Sequence, residues 1–278
     1  MWIKRPTKQL RELVLLVTVF QCSSIFAYPA TANPSNRTGN ATSPQKKSSL
    51  VTSPQTVQKV INLDSVYSGE YLEACIKQAT ANIARNPGAS RDYTNRGFMQ
   101  WRLERFKLAE ADLERAVAIS PQTATAEVYR VLGECYAEEN LPTKAIANFS
   151  KAIKMNSSEK VPRPQDFRHI STVKTCYLRR AQCYAGLEKY LEAISDANKV
   201  VALNPNQSWP YELRARLNKS VGRYENVIED CTAAIRLAPD SSSNYADRAL
   251  AYEKLGKHKQ AQLDKQKLND LAEKILGP

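Results

Sequence analysis

The residues that could do chemistry in this 278-residue chain are few. There are two histidines, His169 and His258, and six cysteines, Cys22, Cys75, Cys135, Cys176, Cys183 and Cys231. No Cys-x-x-Cys occurs, so a zinc site or a thioredoxin-type dithiol has no ligand pair to start from. His-Glu-x-x-His, the phosphate loop, the dinucleotide fingerprint and Gly-x-Ser-x-Gly are all absent. With glycine at only 9 residues, few segments could wrap a phosphate in backbone N–H groups. The expectation is a non-enzyme with no cofactor, no metal and no small-molecule substrate.

The charges come next. Forty basic against 28 acidic side chains give +12, which suggests an anionic partner such as nucleic acid. The distribution weakens that reading. Lys4, Arg5, Lys8 and Arg11 precede the apolar run Leu13–Phe20, which leads to the small residues Ala30-Thr31-Ala32. Basic, apolar and small-residue segments in that order make a secretory signal peptide over 1–32, with cleavage expected after Ala32. The run is too short for a spanning helix, which needs about 20 apolar residues. Residues 33–56 are rich in Ser, Thr, Pro and Asn, and cannot bury enough surface to offset ordering entropy. They are read as a disordered tether carrying Arg37, Lys46 and Lys47. Only +6 remains over 57–278. An anion- or nucleic-acid-binding solenoid thus becomes the alternative reading, to be tested by its salt dependence. The expected location is outside the cytoplasm: periplasm, thylakoid lumen or medium, with membrane contact only during export.

The rest of the chain is one unit repeated. Tyr177, Tyr211 and Tyr245 are spaced by 34 residues, as are Asp196, Asp230 and Asp264, and Pro205 and Pro239. That is the period of the tetratricopeptide repeat, a helix–turn–helix unit. Units are set at 90–123, 126–159, 174–207, 208–241 and 242–275, after a cap over 57–89 and around an insertion at 160–173. Position 4 holds Tyr93, Tyr129, Tyr177, Tyr211 and Tyr245. Position 8 holds Gly97, Gly133, Ala181, Ala215 and Ala249. Ten of the 13 tyrosines fall at positions 4, 11 or 17, at helical spacing, so they are read as packing between units and not as a surface for stacking bases. The repeated Asp at position 23 is read as a solvated or interhelix polar residue. The insertion, with Pro162 and Pro164, is either a partner-binding loop or a tolerated surface loop, with the next helix starting early, near Gln165.

The chain therefore resembles the tetratricopeptide-repeat family over most of 57–278. The resemblance implies an all-α fold, a right-handed superhelical solenoid of antiparallel helix pairs with about five units plus N-terminal capping helices. It also implies a concave groove lined by the first helix of each unit. Carried onto this chain, the groove positions are Arg91, Thr94, Asn95, Phe98, Trp101 and Arg102 in the first unit, and Arg130 and Glu134 in the second. The third unit contributes Arg179 and Gln182, the fourth Trp209, Glu212, Arg216 and Lys219. Trp and Arg are common interface anchors; equally, Trp101 could replace the aromatic missing at position 11, and Trp209 could cover a helix start. Family members that clamp a C-terminal carboxylate use Lys and Asn where this chain has Thr94, Phe98, Val131, Thr175 and Arg179. Only Arg179 suits, so that clamp is not expected. The partner class implied is a protein or peptide.

The five cysteines left after signal removal are read as buried free thiols, which pack as small apolar groups. Cys135 and Cys183 share position 10 of neighbouring units. Helix neighbours about 10 Å apart exceed the roughly 7 Å limit for a disulfide.

Overall fold

A computed structural model describes residues 68–158 and 167–276. The expected signal peptide, the tether, most of the cap's first half and the first half of the insertion, with Pro162 and Pro164, lie outside the described residues. The chain divides into two compact units, Met1–Tyr71 and Leu72–Pro278. Nearly all the described residues belong to the second.

Among the described residues there are eleven α-helices, one short 3-10 turn (Pro121–Thr123) and no strand. The helices are α1 (Gly69–Arg85), α2 (Ser90–Arg102), α3 (Phe106–Ile119), α4 (Ala126–Glu138), α5 (Pro142–Ser158) and α6 (Phe167–Gly186). They continue with α7 (Tyr190–Leu203), α8 (Ser208–Ser220), α9 (Tyr224–Leu237), α10 (Ser242–Lys254) and α11 (His258–Leu276). From α2 onward they form five antiparallel pairs. The first helix of each pair (helix A) packs on the second (helix B), and helix B packs on helix A of the next pair.

Close packing within a pair depends on small residues at fixed positions. Ala109, Ala145 and Ala193 are fully buried at position 20 of their units. A Cβ on Gly97 would lie 2.8 Å from Leu113 Cγ, and one on Gly133 would lie 2.6 Å from Phe149 Cε1. Both separations are below van der Waals contact, so only glycine allows the helices to approach this closely. Phe149 and Leu113 are wholly buried as a result. Burial of each side chain contributes about 1.5–3 kcal/mol.

The turn inside each pair is built the same way five times. Residue 15 of the unit has positive φ: Glu104, Asn140, Glu188, Gly222 and Gly256, at +59° to +72°. The N–H of the next residue reaches back to the carbonyl of residue 11, as in Arg105 to Gln100 (2.9 Å) and Lys257 to Tyr252 (2.8 Å). The N–H of residue 15 itself bonds residue 12, as in Gly222 to Lys219 (3.1 Å). These two bonds are the Schellman arrangement, which satisfies the last carbonyls of helix A. Three of the five turns accept a side chain in the left-handed region, which normally favours glycine.

The ends of the B helices follow the prolines. α3, α7 and α9 each have 14 residues and stop just before Pro121, Pro205 and Pro239. Where Ser157 stands in place of the proline, α5 runs to 17 residues. α6 has 20 residues against 13 in the other A helices, since it starts at Phe167. The early helix start expected near Gln165 is therefore seen at Phe167.

Candidate interaction groove and the polar staples behind it

The groove candidates separate into three sets. On α2, Phe98 and Trp101 are half-buried and pack against the core around Leu113, Val128 and Phe149. Arg130 lies beneath them and is 1% exposed. Its guanidinium sits 5.0 Å from the Trp101 ring centroid. It donates to Glu127 through Nε (2.9 Å) and Nη2 (2.5 Å), and to Glu134 through Nη1 (2.5 Å). Thr172 on α6 donates a further bond to Glu127 (3.1 Å). Burial opposes charge on Glu127, yet Arg130 and these hydrogen bonds hold its carboxyl below the ordinary range. The same two glutamates outweigh the desolvation of Arg130 and keep it charged. Arg130 and Glu134, expected as groove-lining side chains, are thus largely withdrawn from solvent. Their arrangement ties α4 to α6 and supports the Trp101 ring.

The second set is cross-linked between A helices. Arg179 donates to Glu138 on α4 (2.8 Å) and to Gln182 (3.2 Å). Glu212 accepts from Asn244 on α10 (3.1 Å), and Lys219 pairs with Asp247 on α10. The third set differs in exposure. Arg91 and Arg216 are exposed, Asn95 and Arg102 half-buried, and Thr94 spends its hydroxyl on Ser90 O (3.1 Å). Trp209 is half-buried, with its indole N–H on Gln207 Oε1 (2.7 Å). At position 11 beside Trp101, Gln100 is itself buried, and its Oε1 has no hydrogen-bond partner. Gln100 thus keeps position 11 buried, while Trp101 packs against the same core one residue further round the helix.

Of the two readings of the repeated Asp at position 23, solvated or interhelix, the structure shows the interhelix one, with the aspartates buried; its partner escaped the reading of the sequence. Each aspartate is gripped by an arginine at position 7 of the same pair. Arg96 holds Asp112, Arg180 holds Asp196, Arg214 holds Asp230 and Arg248 holds Asp264, each by two or more N–H···O bonds. The remaining Nη1 crosses to helix B of the preceding pair, or to α1. Its acceptors are Thr80 (3.0 Å), Ser150 (2.7 Å), Asn198 (2.9 Å) and Thr232 (3.0 Å). Each guanidinium also lies 5.5–5.9 Å from the tyrosine ring at position 4, either in contact with or close to it. One arginine thus joins two helices of its own pair and one of the pair before. The signal was present in the sequence, since Arg180, Arg214 and Arg248 repeat at the same spacing as the aspartates.

The second pair departs from this scheme. Positions 7 and 23 are Leu132 and Asn148. Lys151 takes over the Tyr129 ring at 4.1 Å. Glu114, at the position that elsewhere carries the acceptor for the arginine, accepts from the Tyr136 hydroxyl instead. Burial raises the Glu110 pKa, and the hydrogen bond and charge of Glu139 and the charge of Glu114 raise it further. Among the described residues no group of three or more His, Cys, Asp or Glu side chains is placed to hold a metal.

The described cysteines are free thiols: Cys75 is half-buried, and Cys135, Cys176, Cys183 and Cys231 are buried. No described helix is long and apolar enough to cross a membrane.

The family model described as "Tetratricopeptide repeat" matches residues 93–123, 126–159 and 175–207. No curated protein matches the sequence. Among solved structures, a MamA protein is similar at 20% identity, covering 66% of this chain and 92% of its own, with a TM-score of 0.56. YrrB, described as a TPR protein with an unusual peptide-binding site, is similar at 16% identity, covering 69% of this chain and 91% of its own, with a TM-score of 0.57. MamA from Desulfovibrio magneticus RS-1 is similar at 19% identity, covering 66% and 96%, with a TM-score of 0.53. At these identities the likeness is one of fold. Family model, helix pairing and fold agree: the chain carries tetratricopeptide repeats, stacked as an all-α solenoid of antiparallel helix pairs.

Proposed function

We propose that this protein is a non-enzymatic, exported scaffold that binds a protein or peptide segment along the face of its A helices. The observation that carries the reading is Trp101. Its ring is half-buried beside Phe98 and rests on a guanidinium fixed by two carboxylates. A large aromatic held in one orientation gives contact area at small entropic cost, which is what an interface anchor needs. Trp209 on α8 gives a second such ring at the other end of the candidate face. The binding of peptide by YrrB, a neighbour in fold, supports the partner class. Export rests on the basic, apolar and small-residue order of 1–32. The proposed site comprises Phe98, Trp101, Arg102, Arg179, Gln182, Trp209, Glu212, Arg216 and Lys219, with Arg130 and Glu134 as support from below.

The test is affinity capture from envelope fractions of the source organism, with mature wild-type chain and with the Trp101→Ala/Trp209→Ala variant as bait. The expected result is a defined partner retained by wild type and lost by the variant at unchanged helical circular dichroism. Equal capture by both would exclude this face.

A further inference from the structure

Three of the five pairs carry tyrosine at position 11: Tyr136, Tyr184 and Tyr252. Tyr136 shows what the ring does there. Its hydroxyl donates to Glu114, at position 25 of the preceding pair. Lys144, at position 19 of its own helix B, lies 4.9 Å over the ring. Glu110, at position 21 of the preceding pair, interacts with the same hydroxyl.

The fourth pair has Asn218 at this position. The residues equivalent to Glu110, Glu114 and Lys144 are Ile194, Asn198 and Asn226. All three, with Asn218, line a cleft of about 230 Å³ between α7, α8 and α9. Arg214, Arg223, Glu229 and Asp230 complete its walls, and Arg223, Asn226 and Glu229 are exposed, so it opens to solvent. The space that a phenol ring fills between the first and second pairs is left open between the third and fourth. None of the groove candidates lines the cleft.

We propose that this cleft is a binding site for a phenol ring supplied from outside the chain. Asn198 Oδ1 already accepts from Arg214 Nη1 (2.9 Å) and has a second lone pair. That lone pair takes the phenolic O–H, as Glu114 takes the hydroxyl of Tyr136. The exposed guanidinium of Arg223 provides the cation for the ring face, the part Lys144 plays over Tyr136. Arg214 is already engaged with Asp230, which leaves Arg223 as the cation for the bound ring, while the exposed carboxylate of Glu229 also lines the cleft.

The probe is p-cresol, titrated into the mature protein and followed by side-chain amide NMR of Asn198 and Asn226 and by melting temperature. The expected result is saturable shifts and a raised melting temperature in wild type, with both effects abolished in Asn218→Tyr, which fills the slot. A parallel titration with N-acetyl-tyrosinamide separates sources: binding comparable to p-cresol admits a partner's tyrosine, whereas exclusion restricts the site to free phenols. No saturable shift with p-cresol, or one unaltered by Asn218→Tyr, overturns the proposal. Should Asn218→Tyr fail to fold, Asn198→Leu decides. It is expected to weaken p-cresol at least about fivefold while leaving toluene unchanged, and equal p-cresol affinity overturns the assignment.

Discussion

Arg180 and Asp196 face each other across one helix pair through two parallel hydrogen bonds of 2.7 Å, and the third arm of the same guanidinium reaches Ser150 on the pair before. The aspartate side chain is 5% exposed and the arginine 17%. Removing one partner of such a pair leaves the other charge buried and unmatched, which costs about 3–5 kcal/mol. Arg180→Ala is therefore expected to lose about 3 kcal/mol or more in urea denaturation followed by circular dichroism. Arg180→Lys is expected to recover only part of this, since an ammonium cannot make the two-pronged contact. The second pair suggests the compensating change, because it folds with Leu132 and Asn148 at these two positions. Arg180→Leu/Asp196→Asn is expected to be markedly more stable than Arg180→Ala alone. A double variant no better than the single one would mean that the ion pair is not the source of the loss.

The staple also shows where reading the sequence stopped short. Period, helix order and small residues at close approaches were legible, because each follows from a one-dimensional pattern with a steric cause. Gly97 and Gly133 needed only the rule that position 8 is small, and the contacts with Leu113 and Phe149 bear that out. The aspartate at position 23 was visible as a repeat, but its burial was not. A charged residue 16 positions after an arginine gives no local signal that the two meet across a hairpin. Arg130 misled in the opposite sense. Its position in the unit matches groove-lining residues, yet two flanking glutamates on one helix draw it inward. The cysteines were read correctly as free and mostly buried, from their positions in the helix pack.

The first interface between pairs is expected to respond to pH with an unusual sign. Burial raises the Glu110 carboxyl above its ordinary range, and its neighbours Glu139 and Glu114 raise it further; a hydrogen bond from Tyr136 only partly offsets them. Lys144 on α5 lies over the Tyr136 ring. A folded-state pKa above the unfolded one means the folded chain holds its proton more tightly. The contribution from Glu110 is then fully present below the unfolded pKa, near 4.3, and is lost as pH rises through the folded value. Glu110→Gln, which mimics the protonated side chain, is expected to melt at the same temperature as wild type near pH 4 and a few degrees higher at pH 7. Melting curves over that window check it. A variant destabilised at pH 7 would show that the carboxylate, not its protonated form, suits the interface.

The thiols give the last expectation, and it bears on an oxidising compartment. Only Cys75 among the described cysteines is partly exposed. Burial pushes the Cys176 and Cys231 thiols up to about 12 and raises those of Cys135 and Cys183 as well. Thiolate is the nucleophile in alkylation and in disulfide exchange, so all four are inert by access and by ionisation. Iodoacetamide added to the native chain at pH 8 is expected to label Cys75 fast and the other four described cysteines only after urea. Site-resolved mass spectrometry reads the result directly. Rapid labelling of Cys176 or Cys231 would mean that the helix pack opens under native conditions. Absence of a label at Cys75 together with a non-reducible mass would instead point to its prior modification. With the other four thiols sealed, the fold can tolerate export to an oxidising space without scrambling, because no second reactive sulfur among the described residues is open to pair with Cys75.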